Sequence, residues 1–232
     1  MGTKLIIGAD RGIAHAMSRH LHARGDAVLA ACFGAGDDLA ALGIAVEPGV
    51  DVTSDDAVTG LAKRLEQRGT RLDWLVNVAG VMGLDTLDTV DYEDVRRQFE
   101  INTVGPLRVV RELRSLLGEG SKVGILTSRV GSLGDNGSGG DYAYRISKAA
   151  ANMVALNLHH DLSKRGIAVQ ALHPGMVMTH LLDVVDPEQM QRYASAYVPP
   201  EEAADQLVAV LDALTLDTAG RFQHANGGFL PW

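Results

Sequence analysis

A doubly wound α/β sheet, parallel and covered by helices on both faces, is the fold that these 232 residues predict. Two observations predict it. Short runs rich in Val, Ile and Leu recur at 5–7, 28–31, 44–46, 72–78, 123–127 and 167–172, the pattern of strands buried on both faces. Between them, stretches at roughly 12–24, 55–68, 92–117 and 143–165 carry apolar residues at helical spacing. Strands and helices that alternate in this way build a parallel sheet through right-handed crossovers, here of about seven strands. Ligands then bind beyond the C-terminal ends of the strands, where the strand order reverses.

Length and composition bound the rest. A hydrophobic content of 46% over this length suits one large core, so a single domain over residues 1–232 is expected. The longest apolar stretches, such as Trp74 to Ala79, fall far short of the roughly 20 residues that span a bilayer, which predicts a soluble chain. The N-terminus enters a strand within a few residues and has no signal-peptide pattern, so a cytoplasmic location is the default expectation. Cys32 is the one cysteine and can form no intramolecular disulfide. A net charge of −8, with Lys and Arg scattered along the chain, gives no footprint for a nucleic-acid partner. Asp37-Asp38 and Glu201-Glu202 sit where helices should begin and suit the positive end of a helix dipole.

In chain order, the first strand runs directly into Gly8-Ala9-Asp10-Arg11-Gly12-Ile13-Ala14 and a helix. Glycines there let the backbone turn tightly and approach a pyrophosphate at the helix N-terminus, although any strand-to-helix turn can need them. Asn77 lies near a strand end, where it either meets a ligand or bridges neighbouring strands. Asn102 falls inside the long helical stretch, a poor place for Asn unless its amide has a specific partner, and its apolar neighbours favour one. Ser128 closes the 123–127 strand at the ligand edge, and the segment 130–141 is rich in Gly and Ser, as an active-site loop would be. Tyr144 and Lys148 stand four apart on a predicted helix and so share a face. A nearby ammonium favours the phenolate and brings tyrosine, with its ordinary pKa of about 10, into range for proton transfer. The alternative is an ordinary amphipathic helix surface. His173-Pro174-Gly175 ends the last long strand with a sharp turn.

Taken in this order and spacing, the motifs resemble the short-chain dehydrogenase/reductase family over about residues 3 to 232. Gly8, Gly12 and Ala14 are similar to its T-G-x-x-x-G-x-G turn, Asp51-Val52 to its adenine-contacting Asp, and Asn77-Val78-Ala79-Gly80 to its N-N-A-G stretch. Asn102, Ser128, Tyr144 and Lys148 match its catalytic tetrad, and Pro174-Gly175-x-Val177-x-Thr179 the segment that holds the nicotinamide carboxamide. Thr127 to Ser132, the Gly-rich loop and Tyr142 to Met153 resemble the branch of C-factor and sniffer-type carbonyl reductases. In that branch Gly131 fixes Ser128 as the catalytic serine ahead of Ser132. The departures are Ile7 for Thr, Ala14 for the third glycine and Val78 for the second Asn.

The resemblance implies a Rossmann-type fold and an NADPH-dependent reduction of an aldehyde or ketone, with Tyr144 as general acid. Lys148 would also hold the nicotinamide ribose, and Asn102 would order a water that relays protons. Gly8, Asp10, Arg11, Gly12, Ile13, Asp51, Val52, Asn77, Ala79, Gly80, Tyr144, Lys148, Pro174, Gly175, Val177 and Thr179 would bind the cofactor. NADP is expected over NAD, because Cys32 stands where NAD-dependent members carry an acid and Arg11 can pair with a 2′-phosphate. No metal is expected. The rival expectations are a nucleotide-binding signalling protein with little turnover and an NAD-dependent alcohol dehydrogenase. Apolar residues between 176 and 198 suggest an apolar substrate wall without naming a compound, and a homodimer or homotetramer is expected by resemblance.

Overall fold

The computed structural model describes residues 2–232, the side chain of Gln189 excepted. The chain runs β1 (Thr3–Ile7), α1 (Gly12–Ala23), β2 (Ala27–Ala31), α2 (Asp37–Ala41), β3 (Ala45–Glu47), α3 (Asp55–Gln67) and β4 (Leu72–Asn77). It continues through α4 (Tyr92–Phe99), a π turn (Glu100–Val104), α5 (Gly105–Leu113), β5 (Leu117–Leu126), α6 (Tyr142–Leu162) and β6 (Ala168–His173). The last elements are β7 (Met176–Val177), α7 (Pro187–Arg192), β8 (Tyr197–Val198), α8 (Pro200–Ala213), β9 (Phe222–His224) and β10 (Phe229–Leu230).

Eight strands form the main sheet in the order β10-β9-β6-β5-β4-β1-β2-β3, against the seven or so expected. The additional strand is β10, a two-residue return antiparallel to β9. The pairs from β3 across to β9 are all parallel. The order reverses at β1, whose neighbours are β2 on one side and β4 on the other. The crevice therefore opens beyond Ile7 and Asn77, the C-terminal ends of that pair.

Period-two alternation explains why these strands read as continuous apolar runs. Ile6, Trp74 and Val76 point to the face packed by Met17 and Leu21 of α1 and Leu207 and Leu211 of α8. Leu5, Ile7 and Leu75 point to the other, packed by Leu61 and Leu65 of α3, Val109 and Leu113 of α5 and Leu162 of α6. Each fully buried leucine there contributes about 2 kcal/mol by apolar transfer, more than the helix propensities at stake.

The stretch read as one helix over 92–117 is divided. Asp91 caps α4 by accepting from Glu93 N at 2.9 Å, the π turn widens the helix at Asn102, and β5 has already begun at Leu117. The outer side of α4, α5 and α6 leaves Tyr92, Leu107, Ile146 and Met153 exposed. Beyond the main sheet, β7 and β8 pair as a separate two-stranded ribbon that clips together both ends of segment 178–196. No helix among the described residues is long and apolar enough to cross a membrane.

Candidate active site

The turn after β1 is built for close approach. Gly8 has φ +84, and a Cβ on it would lie 2.8 Å from the Ala79 backbone, so β1 and β4 part here with no room for a side chain. Amides of Val78 and Ala79 donate to Ile7 O, which fixes the Asn77–Gly80 stretch against the turn. The α1 N-terminus has no side-chain cap and no acid in its first turn, whereas Ser54 caps α3 ahead of Asp55 and Asp56. Open amides at the positive end of a dipole suit a pyrophosphate, so a dinucleotide fits these residues. Thr179 approaches the same turn, with its Cγ2 3.3 Å from where a Gly12 Cβ would stand. Asp51 Oδ1 accepts from Thr53 N and Oγ1, and Arg108 Nη1 donates to Val52 O at 2.6 Å, which sets the turn after β3. Asn77 does not bridge strands through its oxygen: Oδ1 is buried without a partner among the described residues, an acceptor at the crevice edge.

Ser128 follows β5 in extended conformation and caps the 3-10 turn Arg129–Gly131. Tyr144 lies in the first turn of α6, 8% exposed. Burial pushes its hydroxyl up to about 12, against the Ser128 hydroxyl, whose hydrogen bond pulls it down. Lys148 is 4% exposed, donates to Leu126 O at 3.2 Å and carries its ammonium 5.6 Å from the Tyr144 ring centroid. Burial pulls Lys148 down to about 8. The sequence predicts a lowered Tyr144; in the structure desolvation of the phenolate outweighs the Ser128 hydrogen bond that opposes it. A Cβ on Gly80 would lie 3.1 Å from Asn102 Oδ1 and 3.3 Å from Lys148 Nζ, so the stretch after β4 touches this group directly. Ser132 is engaged elsewhere, accepting from Asp135 N at 3.1 Å.

Asn102 has the specific partners its position called for, on the loop after β4 and on α6. Its Oδ1 accepts from Val81 N at 2.9 Å, and its Nδ2 donates to Val81 O at 2.9 Å and to Ser147 Oγ at 3.0 Å. Ser147 Oγ in turn donates to Tyr144 O at 2.7 Å, and Thr103 Oγ1 donates to Ser147 O at 2.8 Å. The π turn thus aims two consecutive side chains at Ser147 of α6, Asn102 at its hydroxyl and Thr103 at its carbonyl.

Ser147, Thr103 and Asp85 escaped the sequence reading. Asp85 accepts from Tyr142 N at 2.5 Å and Ala143 N at 3.1 Å, capping α6 from a distant loop. Asp85→Ala is expected to cost about 1–2 kcal/mol, read as a lower denaturant midpoint, with weaker turnover because Tyr144 sits in the turn it caps. Gly131 packs on the same helix: a Cβ on it would lie 2.5 Å from the Lys148 carbonyl carbon and 2.7 Å from Ala149 N. Backbone cannot swing aside, so Gly131→Ala is expected to displace the Ser128 turn, costing about 1–3 kcal/mol and most of the activity. An unchanged melting temperature and kcat would contradict that packing argument.

The rim at the end of β2 receives a carboxylate from another element. Cys32 is buried and offers no acid, but Asp10 reaches across, accepting from Phe33 N at 2.8 Å and Gly34 N at 2.7 Å. The expectation of NADP rests on Cys32 in place of an acid on that strand, which holds, and on Arg11; Asp10 brings a carboxylate to the same rim from the glycine turn.

Known proteins share this framework. The model of the short chain dehydrogenase family matches residues 3–190. The chain is 59% identical over 232 residues, all of both chains, to a 1-hydroxy-2-glutathionyl-2-methyl-3-butene dehydrogenase of Rhodococcus sp. strain AD45. It is 40% identical over 164 residues to the C-signal protein of Myxococcus xanthus, covering 69% of this chain and 93% of that one. An NADPH-bound carbonyl reductase from chicken fatty liver superposes with a TM-score of 0.87 at 25% identity, covering 100% of this chain and 98% of that one. The chain is therefore an oxidoreductase and belongs to the short-chain dehydrogenase family, which binds NAD or NADP.

Proposed function

We propose that the chain interconverts one alcohol and its carbonyl with a nicotinamide dinucleotide, as one domain over residues 1–232. The observation that carries the reading is the meeting of Tyr144, Ser128 and Lys148 beside Gly80, at the mouth of the β1–β4 crevice. Gly8, Asp10, Arg11, Gly12 and Ile13 at the first turn, Asp51 and Val52, Asn77, Ala79 and Gly80 would hold the dinucleotide. Lys148, Tyr144 and the segment Pro174, Gly175, Val177 and Thr179 would hold its nicotinamide end. Hydride exchange at the reacting carbon is the chemistry that the nicotinamide supplies when bound.

Tyr144 gives its proton to the carbonyl oxygen in reduction and takes the hydroxyl proton in oxidation. Ser128 donates a second hydrogen bond to that oxygen, where negative charge develops. Burial alone holds Tyr144 protonated, so its phenolate depends on the Lys148 ammonium, which at about 8 is still mostly charged at neutral pH. Asn102 acts at one remove: it brackets Val81 and, through Ser147, fixes the turn that carries Tyr144.

Reduction of an aldehyde or ketone is supported by likeness to the carbonyl reductase. A second reading, oxidation of a hydroxyl on a glutathione conjugate, is favoured by 59% identity along the whole chain to the Rhodococcus enzyme. Arg11 and the NADPH held by the chicken enzyme favour NADP, whereas Asp10 favours NAD. The exposed apolar residues on α4, α5 and α6 support a homodimer or homotetramer, which light scattering would register. Nicotinamide absorbance, followed with aldehydes, ketones, quinones and a glutathionyl alcohol, tests the activity. Dinucleotide binding without turnover across that panel would favour the signalling alternative that likeness to C-signal raises.

A further inference from the structure

We infer that Asp10 decides the choice of dinucleotide and that the chain takes NAD in preference to NADP, an inference that rests on the dinucleotide reading above. An acid at the end of the second strand is what receives the adenosine ribose hydroxyls, and a 2′-phosphate needs a cation there instead. This chain has no acid on that strand, because Cys32 occupies the position and is wholly buried. Asp10 supplies one from the glycine turn. Its Oδ2 accepts from Phe33 N at 2.8 Å and its Oδ1 from Gly34 N at 2.7 Å, so both oxygens are fixed at the end of β2.

Two consequences follow for a phosphate at this place. Backbone amides just past a strand are the neutral donors an anion would use, and here both are already held by a carboxylate. The same carboxylate repels a dianion, while it keeps lone pairs for the two hydroxyls of an unphosphorylated ribose. Asp38 at the start of α2 adds a second negative charge near Cys32, with His15 Nε2 at 2.6 Å from its Oδ2. Both acids act on the Cys32 thiol in the same direction as burial, which together raise it to about 11. Arg11, exposed and without an ion pair among the described residues, is left to oppose them.

Fluorescence titration of the purified chain with NADH and with NADPH tests this without need of turnover. The wild-type chain is expected to bind NADH about tenfold more tightly or better, a gap of roughly 1.4 kcal/mol. Asp10→Asn, which keeps size and one acceptor oxygen, is expected to close most of the gap by strengthening NADPH. Arg11→Ala is expected to widen it by weakening NADPH. Equal or tighter binding of NADPH by the wild-type chain overturns the inference, as does an unchanged ratio in Asp10→Asn. Failure of both dinucleotides to bind overturns the underlying reading instead.

Discussion

Tyr144→Phe is expected to lower kcat/KM by about 10³-fold, roughly 4 kcal/mol of transition-state stabilisation, while leaving dinucleotide affinity within a few-fold of wild type. The ring would stay in place, because α6 holds it through contacts that do not involve the hydroxyl: the Asp85 cap and the Ser147 bond to Tyr144 O. What disappears is the proton that the reacting oxygen must gain or lose. Ser128 cannot replace it, since a serine hydroxyl is far too weak an acid to exchange a proton on this timescale. Steady-state kinetics on any substrate the parent turns over, with a parallel dinucleotide titration, separates the outcomes. Turnover within tenfold of wild type would remove Tyr144 from the acid–base role.

Lys148→Met is expected to abolish turnover and yet raise stability. Lys148 is held near 8, below the 10.5 of a free side chain, because its ammonium is desolvated. The unfolded chain therefore binds the proton more tightly, and the charged lysine costs the fold about 3 kcal/mol by linkage at neutral pH. Methionine fills similar space without charge, and loss of the bond to Leu126 O returns about 1 kcal/mol of that gain. A net rise of about 2 kcal/mol, or roughly 4–8 °C in Tm, is expected for the dinucleotide-free protein at pH 7. Because the folded pKa is depressed, the penalty is complete below about pH 8 and shrinks as pH climbs toward 10.5. The variant's advantage should narrow over that window, and an advantage independent of pH would assign it to packing rather than charge.

The sheet was legible because strands buried on both faces leave apolar runs, and β1, β2, β4 and β6 lie within a residue or two of where those runs predicted them. Other elements were hidden for identifiable reasons. Gly118-Glu119-Gly120 interrupts the apolar pattern, so the first half of β5 was missed. The π turn preserves helical spacing closely enough that α4 and α5 read as one helix. β7, β8 and β10 have two residues each, too few for any period.

In the site, Tyr144, Lys148 and Ser128 were legible through spacing and motif order. Asp85 was not, because its partners lie 57 and 58 residues further along and its loop holds other acids just as suitable. Asp10 was counted among the cofactor contacts, but which backbone it would reach is a property of the packed β1–β2 pair. Ser147 was not legible either, since only the folded chain reveals that it joins the π turn to α6.

The β7–β8 ribbon gives segment 178–196 the character of a cassette. Its ends are held side by side by main-chain pairing, so the scaffold registers little of what happens between them. Closure entropy grows only logarithmically with length, and doubling such a loop costs roughly 0.6 kcal/mol. New side chains, or additional residues, can thus be installed between Thr179 and Tyr197 while Tyr144, Lys148 and the Gly8–Gly12 turn keep their geometry. The same catalytic chassis can in this way be re-addressed to substrates of different shape.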